Sequence, residues 1–260
     1  MTNVSLHSQT LEWIKNQVPC LDDLYDQVLS LAPDFISSRF PPASPVPVAV
    51  PCFHDTLHTL AQARYALLEA HSHGISYRNK GGWKDEMTAV WMERFYVDDV
   101  AFRLYSAGEH LANAIICMME ISHSDLLPFK SKNISTQAAV GQYLLKKKPL
   151  LPVAQAIASL ARSSAWAEAI EYRNELVHEQ PPSVHGLGIV YKRSKRWQRS
   201  PDGNTFELSI GAGDKPDFDT QQVIKLMTTA LELLIGALKA CLAYYEDRLR
   251  QAGFTSSQRA

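Results

Sequence analysis

"EYRNELVHEQPP", Glu171 to Pro182, is the stretch on which the reading of this chain turns. Before it, "SSAWAEAI" starts a helix, with the serines at 163–164 free to cap exposed N–H groups and Glu168 favourably placed in the early turns. Pro181 and Pro182 must end that helix, because proline lacks the N–H a helix needs and restricts the residue before it. The helix therefore delivers Arg173, Asn174 and His178 close to its end. At about 100° per residue, Asn174 and His178 lie about 40° apart on one face, while Arg173 lies about 140° round from His178. One helix does not aim all three groups at one point. Two copies meeting across a two-fold axis, or a helix end distorted ahead of the prolines, would.

The chemistry of those groups suits phosphodiesters. Arginine offers a planar fork to phosphate oxygens and to the charge of a pentavalent transition state. Histidine moves protons near neutral pH. RNA carries its own nucleophile, the 2′-OH, so neither a metal nor any other cofactor is expected. The bland alternative pairs Arg173 with Glu171 or Glu175 and leaves His178 against the helix C-terminus.

Working outward, helical periodicity dominates. Leu11, Ile14 and Val18, then Leu21, Leu24, Val28 and Leu31, recur at helical spacing. "APDFISSRFPPASPVPVAVP" places six prolines between Pro33 and Pro51, which predicts an extended linker. Residues 54–71 predict a helix ended by Gly74 and the "RNKGG" turn. The pattern over 84–121 is so long that an unbroken helix would span roughly 55 Å, so a bend is expected near Asp98 and Asp99 or Gly108. Two shorter helices flank Pro149 and Pro152. "LGIVYKRSKRWQRSPDGNTFELSIG" has two β-rich runs around a turn signal and predicts a β-hairpin over about 187–211. Asp219 or Thr220 caps a last helix running to about Arg250. The expected fold class is mainly all-α: a helical bundle with a small β-hairpin insertion before its last helix. By domain, this gives an N-terminal helical arm (1–32), a proline-rich linker (33–52), the bundle (53–251) and a flexible tail (252–260).

Composition narrows the partners. The chain has 260 residues, 26 Lys and Arg against 27 Asp and Glu, and a formal charge of −1, so no global field advertises a polyanion or membrane partner. The most apolar segment, "VIKLMTTALELLIGALKACLAYY", carries Lys225, Glu232 and Lys239 and reads as a buried helix rather than a membrane span. The start of the chain lacks a signal-peptide pattern, and the four cysteines form no C-x-x-C, which predicts a reduced, cytoplasmic protein.

"RNELVH" resembles the signature of the HEPN superfamily: an arginine, a polar residue, and a histidine after four intervening positions. "FRLYSAGEHLANAII", Phe102 to Ile116, is similar to an earlier bundle helix of such proteins. The resemblance covers about residues 54–250, and the N-terminal arm and basic hairpin are additions to it. It implies a helical bundle acting as a metal-independent endoribonuclease in toxin–antitoxin or antiviral defence systems, with an antitoxin or defence component as a possible partner. By it, His178 handles the proton or orients the 2′-OH and leaving group, Arg173 holds the phosphate, and Asn174 supports either. Products would carry a 2′,3′-cyclic or 3′-phosphate and a 5′-OH. It also implies a homodimer pooling both motifs in one cleft, which answers the divergence of Arg173 and His178. Non-catalytic members of the superfamily exist, so an RNA- or protein-binding module is the alternative.

Three further patterns carry chemistry. Lys192, Arg193, Lys195, Arg196 and Arg199 surround Trp197, a basic and aromatic surface suited to an RNA strand, although such runs are usually solvated loops. "HDTLH" sets His54 and His58 at metal-pair spacing, but with Asp55 in place of a general-base Glu and no third ligand. Glu120/His123 and Glu175/His178 repeat the E-x-x-H spacing of di-metal bundle oxidoreductases, a more distant alternative. Both pairs sit at helix ends, not in mid-bundle. The aromatics of "WMERFYVDDVAFRLY" read as core and dimer contacts, and Glu109 and His110 as polar positions that could face the same cleft.

Overall fold

The computed structural model describes residues 8–130, 134–178, 182–187, 191–193, 198–199, 206–207, 210–212 and 216–254. Its architecture is all-α. In chain order it has α1 (Ser8–Gln17), α2 (Asp22–Leu29), α3 (Pro33–Ser37), a 3-10 turn (Val46–Val48), α4 (Ala49–Arg78) and α5 (Trp83–Met118). Then come α6 (His123–Leu126), a second 3-10 turn, α7 (Thr136–Lys147), α8 (Pro152–Arg162), α9 (Ser164–His178) and the last helix, α10 (Thr220–Gln251).

The antiparallel pair α4/α5 is the spine. Ala63, Ala66 and Ala70 of α4 and Ala101, Ala107 and Ala114 of α5 are buried, and small side chains let two backbones approach closely. Leu60, Leu67, Leu104 and Leu111 fill the space around them, each fully buried side chain contributing about 1.5–3 kcal/mol by removal from water. α10 packs against α4, α5, α8 and α9. It is long and apolar enough to cross a membrane by length and composition alone, yet Met227, Leu231, Leu234 and Leu238 are buried within the bundle. Its start is a capping box: Asp219 accepts from the Gln221 N–H at 2.8 Å, and Gln222 accepts from the Asp219 N–H at 3.1 Å.

Several expectations are corrected. α5 runs unbroken for 36 residues, past both places where a bend was expected. Asp98 and Asp99 stay helical because each takes an arginine one turn away, Arg94 and Arg103 respectively. Gly108 is the close-approach point for α7 and α9: a Cβ there would lie 3.0 Å from Gln137 and 3.3 Å from Trp166. α4 continues through Gly74 to Arg78, since the space of the missing side chain holds the Glu93 carboxylate. The proline-rich stretch is not extended throughout. Pro33 opens α3, Pro47 lies in a 3-10 turn, and Pro51 falls in the first turn of α4, where its absent N–H would have had no helical partner anyway. Nor do the N-terminal helices stand off: Leu24, Val28, Ile36 and Val46 belong to the same core as α4 and α10.

Between α9 and α10 the chain is clamped where it leaves and returns. Asp217 accepts from the Ser183 N–H and hydroxyl, both at 2.8 Å, and Val184 bridges Phe218. Two short antiparallel ladders lie between these ends, Tyr191–Arg193 with Ile210–Ala212 and Gln198–Arg199 with Phe206–Glu207. The turn signal over 200–204 lies outside the described residues.

Candidate functional site

α9 meets α5 through a buried polar network just before the motif. Tyr172 is buried and donates its phenol proton to Asp98 Oδ1 at 2.7 Å, while burial, reinforced by the Asp98 charge, pushes that phenol's pKa upward. Arg94 grips the same carboxylate through Nε at 2.8 Å and donates from Nη1 to the Pro182 carbonyl at 2.8 Å. α5 thus holds α9 and the chain leaving it from one side chain cluster. Sequence inspection read Asp98 only as a helix breaker. The signal that could have found its role was the i, i+4 pairing with Arg94.

Arg173 follows Tyr172 and turns toward α5. Its guanidinium lies over the Tyr105 ring, 4.1 Å from the centroid, and Nη1 donates to Asn174 Oδ1 at 3.1 Å. Its Nε is buried and has no hydrogen-bond partner. The arginine is thus held by an aromatic face and a neighbouring amide. Asn174 and His178 are exposed. In one chain the three residues diverge as the helical angles require: Arg173 inward onto Tyr105, Asn174 and His178 outward.

Along the outer side of α9, Glu168, Glu171, Tyr172, Glu175, Asp217 and Phe218 line a cleft of about 260 Å³. Tyr172 meets Phe218 edge-on there. The walls are acidic, so this cleft repels phosphate.

Other singled-out residues have structural partners. Glu109 caps α7, accepting the Thr136 and Gln137 N–H groups at 3.2 and 3.0 Å. Glu120 binds Arg248 at 3.0 Å and accepts from Ser44, which draws it away from His123 as a ligand pair. His58 Nε2 is hydrogen-bonded to Gln62 at 2.8 Å. Among the described residues no three His, Cys, Asp or Glu side chains converge as metal ligands. Lys195, Arg196 and Trp197 lie outside the described residues, and for Lys192, Arg193 and Arg199 the description is of the backbone alone.

Half of the reading of the α5 aromatics is corrected. Trp91, Phe95 and Phe102, read as core and dimer contacts, are not in the core but line the solvent face of α5 with 56%, 58% and 40% of their surface exposed. Met87 extends the stripe, and Tyr65 of α4 lies exposed on the neighbouring helix. Phe102 is one turn from Tyr105, so the stripe runs up to the arginine.

Comparison of the chain with family models, curated proteins and solved structures finds no match.

Proposed function

We propose that this chain is a HEPN-like, metal-independent endoribonuclease that cleaves single-stranded RNA as a homodimer in the cytoplasm, in a toxin–antitoxin or antiviral defence setting. The observation that carries the reading is Arg173. A guanidinium with an unmet donor rests on the Tyr105 ring, with an amide partner, five residues before an exposed histidine. Cleavage needs no further kind of group: as the 2′-OH attacks phosphorus and the P–O5′ bond breaks, the His178 imidazole takes the 2′-OH proton, an imidazolium of the dimer's two His178 side chains gives one to the leaving 5′ oxygen, and Arg173 neutralises the phosphorane charge. The cytoplasmic setting is supported by four cysteines that are all free thiols. The defence setting, and an antitoxin or defence partner with it, rests on the motif resemblance. On the same reading the two short ladders belong to one hairpin carrying the basic surface of Lys192 to Arg199.

Divergence of Arg173 and His178 within one chain calls for a second copy, and the α5 stripe is the face we assign to it. By the usual size of such side chains, the exposed parts of Met87, Trp91, Phe95, Phe102 and Tyr65 amount to about 500 Å² of apolar surface. A standard interface buries roughly 800 Å² per partner, a little over half of it apolar. The stripe supplies that share. Asp99 and Arg103 flank it with opposite charges suited to a symmetric mate. The double variant Trp91→Glu/Phe95→Glu is expected to sediment as a monomer with an unchanged circular dichroism spectrum. A wild-type chain that is already monomeric at micromolar concentration would remove this face as the interface.

The test of the activity is direct. Purified protein with single-stranded RNA in excess EDTA is expected to yield fragments ending in 2′,3′-cyclic or 3′-phosphate with 5′-OH. Cleavage that stops in EDTA, or that leaves 3′-OH ends, contradicts the mechanism. A second reading is a non-catalytic RNA- or protein-binding module of the same fold; the acidic cleft along α9, which repels phosphate, favours its protein-binding form. Binding of a basic protein partner without any cleavage of RNA would select that form, and retention of intact RNA the other.

A further inference from the structure

Cys52 and Cys117 are far apart in sequence, and no pattern pairs them. The α4/α5 seam does. Its register is set by stacking of His73 on Tyr96, with ring centroids 5.4 Å apart, and by the hydrogen bond from Arg103 to Gln62. In that antiparallel register, 21 residues back along α4 from His73 is Cys52 and 21 residues forward along α5 from Tyr96 is Cys117, so the two cysteines fall at the same level of the seam. Each thiol is the largest influence on the titration of the other, as side chains facing each other across the seam must be. Both are partly exposed, unlike the buried Cys241, and the fourth cysteine, Cys20, lies apart on the surface.

Position favours a bond between them. Cys52 lies in the first turn of α4 and Cys117 in the last turn of α5, where the backbone lacks a full set of helical hydrogen bonds and adjusts at low cost. Disulfide geometry is demanding, and helix ends can meet it with small movements. The neighbouring Cys52 thiol draws the Cys117 pKa down to about 7, and Cys117, with burial, pushes that of Cys52 up. Asp55 and Tyr245 face the pair from α4 and α10. At neutral pH the pair therefore presents one reactive thiolate with a second thiol against it.

We infer that Cys52 and Cys117 form a thiol–disulfide exchange site, closed to an α4–α5 disulfide by a low-molecular-weight disulfide. The Cys117 thiolate attacks one sulfur of the oxidant RSSR, forming a Cys117–S–S–R bond and releasing RS⁻. Cys52 gives up its proton to the released thiolate and attacks Cys117 Sγ, expelling the second RS⁻, which takes a proton from water. The two cysteines lose two electrons and two protons, and RSSR becomes two RSH.

The experiment is incubation of the full chain with oxidised glutathione, then alkylation of the remaining thiols and peptide mapping under non-reducing conditions. A crosslinked peptide pair joining Cys52 to Cys117 is expected, with Cys241 alkylated only after denaturation and Cys20 carrying at most a glutathione adduct. Cys52→Ser is expected to stop at a stable glutathione adduct on Cys117, and Cys117→Ser to give no adduct on Cys52. The inference fails if wild-type protein keeps both thiols alkylatable. It also fails if separate adducts accumulate on Cys52 and Cys117 without a crosslink. The wild-type measurement stands by itself should either serine variant fold poorly.

Discussion

Arg173→Ala and His178→Ala are each expected to lower RNA cleavage by about 10²- to 10³-fold, the usual loss when one electrostatic or proton-transfer group is removed. The two losses have different signatures. Removing the His178 imidazole takes away an exposed side chain and should leave the melting temperature within about 1 °C, since surface changes seldom cost more than about 0.5 kcal/mol. Removing Arg173 also uncovers Tyr105, and a modest loss of stability accompanies the loss of rate. Arg173→Lys keeps the charge but not the planar fork, and should remain closer to the alanine variant than to wild type. Mixing the two alanine variants decides whether the groups work across an interface. In a shared cleft the mixed dimer still contains one Arg173 and one His178, and activity should return in part. No recovery in a mixture proven to exchange subunits would confine the chemistry to one chain, which the outward direction of His178 opposes.

Glu93→Ala is expected to cost about 3 kcal/mol, a fall of roughly 6–12 °C in melting temperature for a chain of this size. Only 1% of the Glu93 side chain is exposed, and its carboxylate gathers three helices. Arg78 of α4 grips it through both terminal nitrogens, and from α10 the Thr220 hydroxyl and the Gln221 amide each donate at 2.7 Å. Truncation strands the Arg78 charge and frees the start of α10. The estimate sits at the low end for a broken buried pair because Arg78 is about one-third exposed to water. Gly74 sharpens the test, since a Cβ there would lie 2.1 Å from Glu93 Oε1. Gly74→Ala should destabilise the wild type by about 1–3 kcal/mol through overpacking. In the Glu93→Ala background the same change should stabilise by up to about 1 kcal/mol, because alanine is the better helix former. An effect of the same sign in both backgrounds would mean that Gly74 is not there to seat the carboxylate.

Sequence reasoning read the α9 site in part and the Glu93 cluster not at all, for identifiable reasons. The end of α9 was legible because two prolines stop a helix whatever surrounds it, and the divergence of Arg173 from His178 followed from helical angles alone. Tyr105 as the seat of Arg173 was not legible, since it lies on a different helix and nothing near Arg173 in the chain points to it. Glu93 likewise carries no local signal among the charges of the long pattern over 84–121. Its burial arises only where α4, α5 and α10 converge. Asp98 was misread as a breaker because a helix interior disfavours aspartate locally, whereas Arg94, Tyr172 and the Pro182 carbonyl make it a hub.

What the chain determined by itself was local: apolar residues at helical spacing, the Asp219–Gln222 cap on α10, and the end of α9 ahead of the proline pair in the sequence. Each depends on backbone geometry within a turn or two, which neighbours in sequence control. Tertiary structure decided how far each helix continues and what faces what. A glycine or aspartate inside a helix costs about 1 kcal/mol or less, and packing along the α4/α5 seam outweighs it, so α4 passes Gly74 and α5 passes Asp98, Asp99 and Gly108. The same seam brings Cys52 to Cys117 and Gly74 to Glu93, juxtapositions that exist only once two long helices lie side by side in register.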